Sequence, residues 1–150
     1  MIAAMNDRVV RNTSDCVNQE IERRIHENVE RAARGGIDAI NRRLAELDEE
    51  WDIERYLETM APSLTLAGLT LGLTVNRKWL ALPFLVQAFF LQHAIQGWCP
   101  PIPILRRLGI RTTHEIDRER HALKALRGDY RYIDRDTFGG ADQALNAAQN

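Results

Sequence analysis

Residues 59–97 read TMAPSLTLAGLTLGLTVNRKWLALPFLVQAFFLQHAIQG, two apolar segments joined by Asn76-Arg77-Lys78 with no acidic side chain in the whole stretch. As helices rising about 1.5 Å per residue, 59–75 would reach roughly 25 Å and 79–96 roughly 27 Å, against a bilayer hydrocarbon core of about 30 Å. A three-residue polar joint leaves no room for a crossover, so the segments should fold back on each other. A soluble domain could bury such a pair only with broad apolar faces elsewhere, and the flanks offer narrow stripes between charges. The sequence therefore predicts an all-α protein, an antiparallel two-helix transmembrane hairpin flanked by amphipathic cytoplasmic helices. The rival reading is a soluble helical adaptor with the hairpin as its core.

The flanks explain why average composition misleads. The 150 residues are 45% hydrophobic and 27% charged with a net charge of −1, ordinary values that hide strong segregation. Charges crowd into 7–58 and 106–136. A balanced charge gives no footprint for nucleic acid. Cys16 and Cys99 stand far apart with no C-x-x-C pair, so neither a disulfide framework nor a zinc module is expected. Met1 to Val10 holds Asp7 and Arg8 and lacks a long apolar run, so no cleavable secretory signal is expected there and insertion would depend on the hairpin.

Upstream, residues 1–14 show no period and are expected to be flexible. Over 15–58 the chain is charged and amphipathic. Val17, Ile21, Ile25, Val29 and Ala32 recur every three or four residues from a cap at Ser14 or Asp15, which predicts a helix. Gly35-Gly36 then interrupts, since two interior glycines cost roughly 2 kcal/mol relative to alanine. Ile37, Ile40, Leu44, Leu47 and Trp51 follow an a/d rhythm, short for a coiled coil and equally suited to packing on a helix of the same chain. Asp52 can cap the helix that enters the hairpin, with Trp51 and Tyr56 placed for an interfacial belt.

Within the hairpin, Ala61, Thr65, Gly68 and Gly72 put small residues on one face, which should meet a partner helix. Pro62 should bend the chain as it enters the apolar region. Gln87, Gln92, His93 and Gln96 give the second segment an interior polar face and predict an oligomer larger than one hairpin. Gly97 suits a helix C-terminus, and Cys99-Pro100-Pro101 forbids continuation. Over 98–128 an interfacial loop and amphipathic helix are expected, with Arg106, Arg107 and Arg111 suited to anionic lipid headgroups. Thr112-x-x-Glu115 is a capping box that starts a helix ending near Gly128. In the C-terminal tail, 129–150, residues 129–138 mix aromatics and charge without a helical period, and the small polar stretch 139–150 is expected to lack fixed structure.

Arg42, Arg43, Arg55, Arg106, Arg107, Arg111 and, marginally, Arg118 flank the outer ends of the segments, whereas the joint carries only Arg77 and Lys78. Both termini are therefore expected on the cytoplasmic side, with the joint at the far face or the hairpin re-entrant.

A small-residue span, an Asn76-Arg77-Lys78-Trp79 turn, a second span, then Gly97-Trp98-Cys99-Pro100 and a downstream Leu108-Gly109 together resemble the YgaP-like inner-membrane domain family of bacteria. The resemblance covers about residues 50–128, and Gly-x-Cys-Pro is its most specific part. It implies an inner-membrane hairpin that occurs alone or fused to a rhodanese sulfurtransferase domain, with transmembrane helices implicated in homodimerisation. This chain departs in carrying charged helices in front and no rhodanese-like α/β segment, so sulfur transfer is not inherited with the hairpin.

Cys99 is the residue to weigh for chemistry. A sulfur-relay or redox thiol there would draw on Arg106 and Arg107, but a helix C-terminus raises a thiol pKa, which favours a structural Gly97-x-Cys99-Pro100 turn. His93 could ligate haem or relay protons, and an interhelical hydrogen bond to a glutamine is the alternative. His114 and His121 lack a ligand constellation. No catalytic triad, phosphate loop, dinucleotide fingerprint or H-E-x-x-H motif occurs. The expectation is a non-catalytic scaffold or recruiting subunit, without cofactor or metal, whose partners are membrane lipid and either further copies or a membrane complex.

Overall fold

The computed structural model of the protein describes residues 8–131, and all regular structure among them is helical. The expectations for residues 1–7 and for the tail from 132 onward lie outside the described residues. In chain order the helices are α1 (Asp15–Arg34), α2 (Gly36–Glu49), α3 (Ile53–Thr74), a 3-10 turn (Arg77–Leu80), α4 (Ala81–Gln96), α5 (Ile102–Arg107) and α6 (Thr113–Arg127). They form two compact units. One draws on residues up to Arg23 and on Trp51–Ile116, the other on Arg24–Glu50 and on residues from Asp117. α1 and α6 each contribute to both units.

In the first unit the core lies at the foot of the hairpin. Val9, Ile53, Leu57, Cys99, Ile102 and Leu105 are buried together, with Tyr56, Phe90 and Ile110 packed against them. Residues 8–14 are therefore not the loose segment expected from the sequence. A helical turn at 8–11 inserts Val9, Asn12 Nδ2 donates to the Arg8 carbonyl at 2.8 Å, and Arg8 Nη1 donates to the Ile95 carbonyl at 2.5 Å. One turn is too short to leave a period in the sequence. Asp52 caps α3 by accepting from the Arg55 N–H at 2.8 Å, and its other oxygen accepts from Thr113 Oγ1 at 2.6 Å. A single carboxylate thereby fixes the starts of two helices.

In the second unit the a/d rhythm is satisfied inside the chain. Ile40, Leu44 and Leu47 are buried, whereas Ile37 is exposed. Polar bonds tie α2 to the later turns of α6: Arg43 Nε to Glu119 at 2.7 Å, Arg120 Nη2 to the Leu47 carbonyl at 3.2 Å and Arg127 Nη1 to Asn41 Oδ1 at 2.9 Å. Leu123 on α6 is fully buried, a contribution of about 1.5–3 kcal/mol for a leucine. The helix break falls where the glycines stand, and Gly36 takes φ +74°, a conformation other residues adopt at a cost.

Candidate functional site

The hairpin is the feature that invites a function. The α3 helix starts at Ile53, six residues before the apolar run at Thr59, because the Asp52 cap and the buried Ile53 and Leu57 fix its first turns in the core. Pro62 consequently lies inside the helix and not near its start, where it removes one backbone bond. The chain turns through Asn76, whose Oδ1 accepts from the Lys78 N–H at 2.9 Å, then the 3-10 turn and α4.

The small-residue stripe is used up within this hairpin. A Cβ on Gly68 would stand 2.5 Å from Pro83 Cδ, and one on Gly72 2.5 Å from Leu80 Cδ2. Ala61 is buried, and Thr65 Oγ1 accepts from Gln87 Nε2 at 2.8 Å. Gly68 and Gly72 thus serve closure of one hairpin and cannot also be the contact between copies. Two contacts engage the polar face within the chain. Gln87 reaches Thr65 across the hairpin, and Gln92 Nε2 meets Gln96 Oε1 at 3.3 Å. His93 makes no bond to a glutamine: it is buried, its ring lies 6.5 Å from that of Phe90, and its Nδ1 has no hydrogen-bond partner among the described residues.

The outward faces are apolar and bare. Leu73 is 82% exposed, Phe84 76%, Leu66 65% and Leu91 62%, a density of exposed large apolar side chains that isolated surface leucines do not reach. On α4 only Pro83 and His93 are buried. Between the helices runs an apolar groove of about 270 Å³ walled by Leu57, Leu64, Val86 and Phe89 with Cys99 and Pro100 at its end. Aromatic and basic residues mark both ends of the hairpin. Trp79 is exposed beside Arg77 and Lys78 at the turn, and at the foot Trp51 meets Tyr56 edge-on at 5.3 Å while the Arg55 guanidinium lies 4.4 Å over the Trp51 ring.

Below the hairpin, Gly97 ends α4 at φ +71°, where a Cβ would fall 2.3 Å from Arg8 Cβ. Only glycine permits both that conformation and that approach. Cys99 is buried in the core, and burial pushes its thiol pKa up, which disfavours the thiolate form. Cys16 is exposed. A thiol reagent should modify Cys16 first and Cys99 about tenfold more slowly or worse, with the two rates converging in denaturant. Stopped labelling followed by peptide mass mapping reads this directly.

The arginines expected at lipid headgroups divide sharply. Arg107 is exposed, but Arg106 is 1% exposed and Arg111 is buried. Arg106 clamps Glu115 with two bonds, Nη1 to Oε2 at 2.6 Å and Nη2 to Oε1 at 2.8 Å, and Nη2 also reaches Asn18 Oδ1 at 2.9 Å. Glu115 closes the capping box as well, accepting from the Thr112 N–H at 2.9 Å while its own N–H donates to Thr112 Oγ1 at 3.3 Å. Arg106 and Arg111 therefore belong to the interior of the first unit. The alternation of leucine and arginine at 104–111 resembled a surface helix because the buried acid that claims Arg106 lies on the next helix.

No group of three or more metal-ligating side chains comes together among the described residues, and His121 instead lies 2.8 Å from the Tyr130 hydroxyl through Nδ1. No family model matches the chain, and no curated protein or solved structure is significantly similar to it.

Proposed function

We propose that the protein is a non-catalytic membrane scaffold, with the hairpin seated in a lipid bilayer and the charged helices held at the cytoplasmic face to recruit partners. The observation that carries this is the bare apolar surface of α3 and α4, bounded at both ends by tryptophan and basic side chains. Lipid tails would cover that surface, and headgroups would receive Trp79, Arg77 and Lys78 at the turn and Arg55 and Trp51 at the foot.

Neither helix is by itself long and apolar enough to cross a membrane. The 16 residues of α4 amount to about 24 Å at 1.5 Å per residue, some 6 Å short of a typical hydrocarbon core. Local thinning and snorkelling of Arg77 and Lys78 make up such a deficit at fractions of a kcal/mol per Å. A re-entrant seat would instead leave both cations in hydrocarbon at about 2.5–3.5 kcal/mol each, so the crossing seat is preferred. The Gly97-Trp98-Cys99-Pro100 exit is the motif that carries the resemblance to YgaP-like inner-membrane domains, and that resemblance implies a bacterial inner-membrane location. Association with further copies or other subunits would use the outward faces, since Gly68 and Gly72 are spent inside the hairpin.

The test is fractionation of the full chain from bacterial membranes. Retention in the pellet after alkaline carbonate, with release by detergent, is the expected result. Release by carbonate alone overturns the bilayer seat and favours the soluble adaptor, whose bare hairpin would then be an interface with another protein.

A further inference from the structure

We infer that the second unit carries a phosphate-binding groove, formed where α1 and α2 meet and independent of the hairpin. The groove encloses about 330 Å³ and is lined by Asn28, Arg31, Arg42, Arg43 and Glu46 over a floor of small residues that includes Gly35. The floor is low for a local reason: a Cβ on Gly35 would stand 2.5 Å from Ala39 Cβ. Gly36 at φ +74° breaks the helical run there, and side chains eleven positions apart, Arg31 and Arg42, line one cleft.

The charge accounting singles out these two. Five arginines lie between residues 24 and 50. Arg34 pairs with Glu30 at 3.0 Å, and Arg43 is engaged by Glu119 at 2.7 Å, Glu46 at 2.9 Å and Glu50 at 3.7 Å. Arg24 also has a partner. Arg31 and Arg42 alone make no side-chain bond among the described residues, and neither does the Asn28 amide beside them. The only carboxylate in the lining, Glu46, is occupied by Arg43. Two planar guanidinium forks and an amide around a shallow floor match the several oxygens of a phosphate group, which such forks bind through paired, charge-assisted bonds. Solvated surface arginines in this charge-rich chain would be expected to find i,i+4 carboxylates as Arg34 does. The shared chemistry is a phosphate, supplied either by a soluble phosphate compound or by an anionic lipid headgroup.

The test follows the guanidinium Nε–H signals of the full chain by NMR in zwitterionic detergent. Inorganic phosphate is titrated in one arm, and soluble short-chain phosphatidylglycerol in the other with short-chain phosphatidylcholine as control. Saturable shifts of Arg31 and Arg42 with inorganic phosphate assign a soluble ligand, and shifts with phosphatidylglycerol alone assign a headgroup. Calorimetry of the same titrations should show affinity reduced tenfold or more in R31Q/R42Q and unchanged in R34Q, with circular dichroism unaltered because neither side chain supports the fold. Shifts at Arg31 and Arg42 no larger than those at Arg34 and Arg107 would mean general screening and overturn the groove. Its failure leaves the bilayer seat untouched, because carbonate extraction does not involve these residues.

Discussion

Replacing Arg106 with methionine is expected to destabilise the first unit by about 3–5 kcal/mol, the cost of leaving one member of a buried ion pair alone. Glu115 would keep its bond from the Thr112 N–H but lose both bonds from the guanidinium. Methionine fills a similar volume without replacing a donor. The pH dependence separates this from simple loss of packing. In the native protein burial would raise the Glu115 pKa, but the bonds from Arg106 and the Thr112 N–H outweigh it and hold the group below its ordinary value of 4.5. A depressed carboxylate contributes stability that is present above its unfolded value and is lost as pH falls through the folded one. In R106M burial is left largely unopposed, so protonation relieves the variant as pH falls toward about 4.5, and the gap between the two proteins should go on narrowing below about 4.5 as the native carboxylate protonates in turn. Denaturant melts in detergent from pH 3.5 to 7 measure both. The paired variant R106M/E115Q should recover more than half of the loss, since the amide oxygen still caps α6 and no charge remains buried. A constant gap across this range would assign the effect to packing alone.

The same residue marks the limit of what the sequence could convey. Local signals were readable: the Asp52 cap, the Thr112-Glu115 box, the glycine break before α2 and the Gly97 terminus all depend on neighbours within four residues. So was the hairpin, because a three-residue joint admits one geometry. What could not be read was which charged side chains would be recruited inward. Arg106 and Arg107 are adjacent and identical in type, yet one is buried against Glu115 and the other is exposed. That choice is made by the approach of α6 and of Asn18 on α1, 88 positions away. The partition of the small-residue stripe was hidden for the same reason. Periodicity shows that Gly68 and Gly72 share a face, but a helix of the same hairpin and a helix of another copy satisfy that face equally well. Val9 had no signal, since a single turn offers no period to detect.

Aspartate at Leu66 and Leu91 together is the substitution expected to move the hairpin most decisively. Both side chains are well over half exposed, and both lie on outward faces away from the helix ends. In a bilayer each acid should cost about 2.5–3.5 kcal/mol near the centre of a span, or about 5–7 kcal/mol for the pair. A seat already about 6 Å short of the core has little reserve against such a cost. The membrane-retained fraction after carbonate should therefore fall from nearly all to a minor part, while L66I/L91I remains as the parent. If water covers this face instead, the calculation inverts. Exposed substitutions change stability by about 0.5 kcal/mol or less, and removing large apolar groups from an open patch improves solubility. A double aspartate variant that stays in the pellet and resists detergent release would point to aggregation of the parent, and its melting in detergent distinguishes that from a folded hairpin. The sign of the response thus depends on what covers Leu66 and Leu91, because neither side chain supports the fold from within.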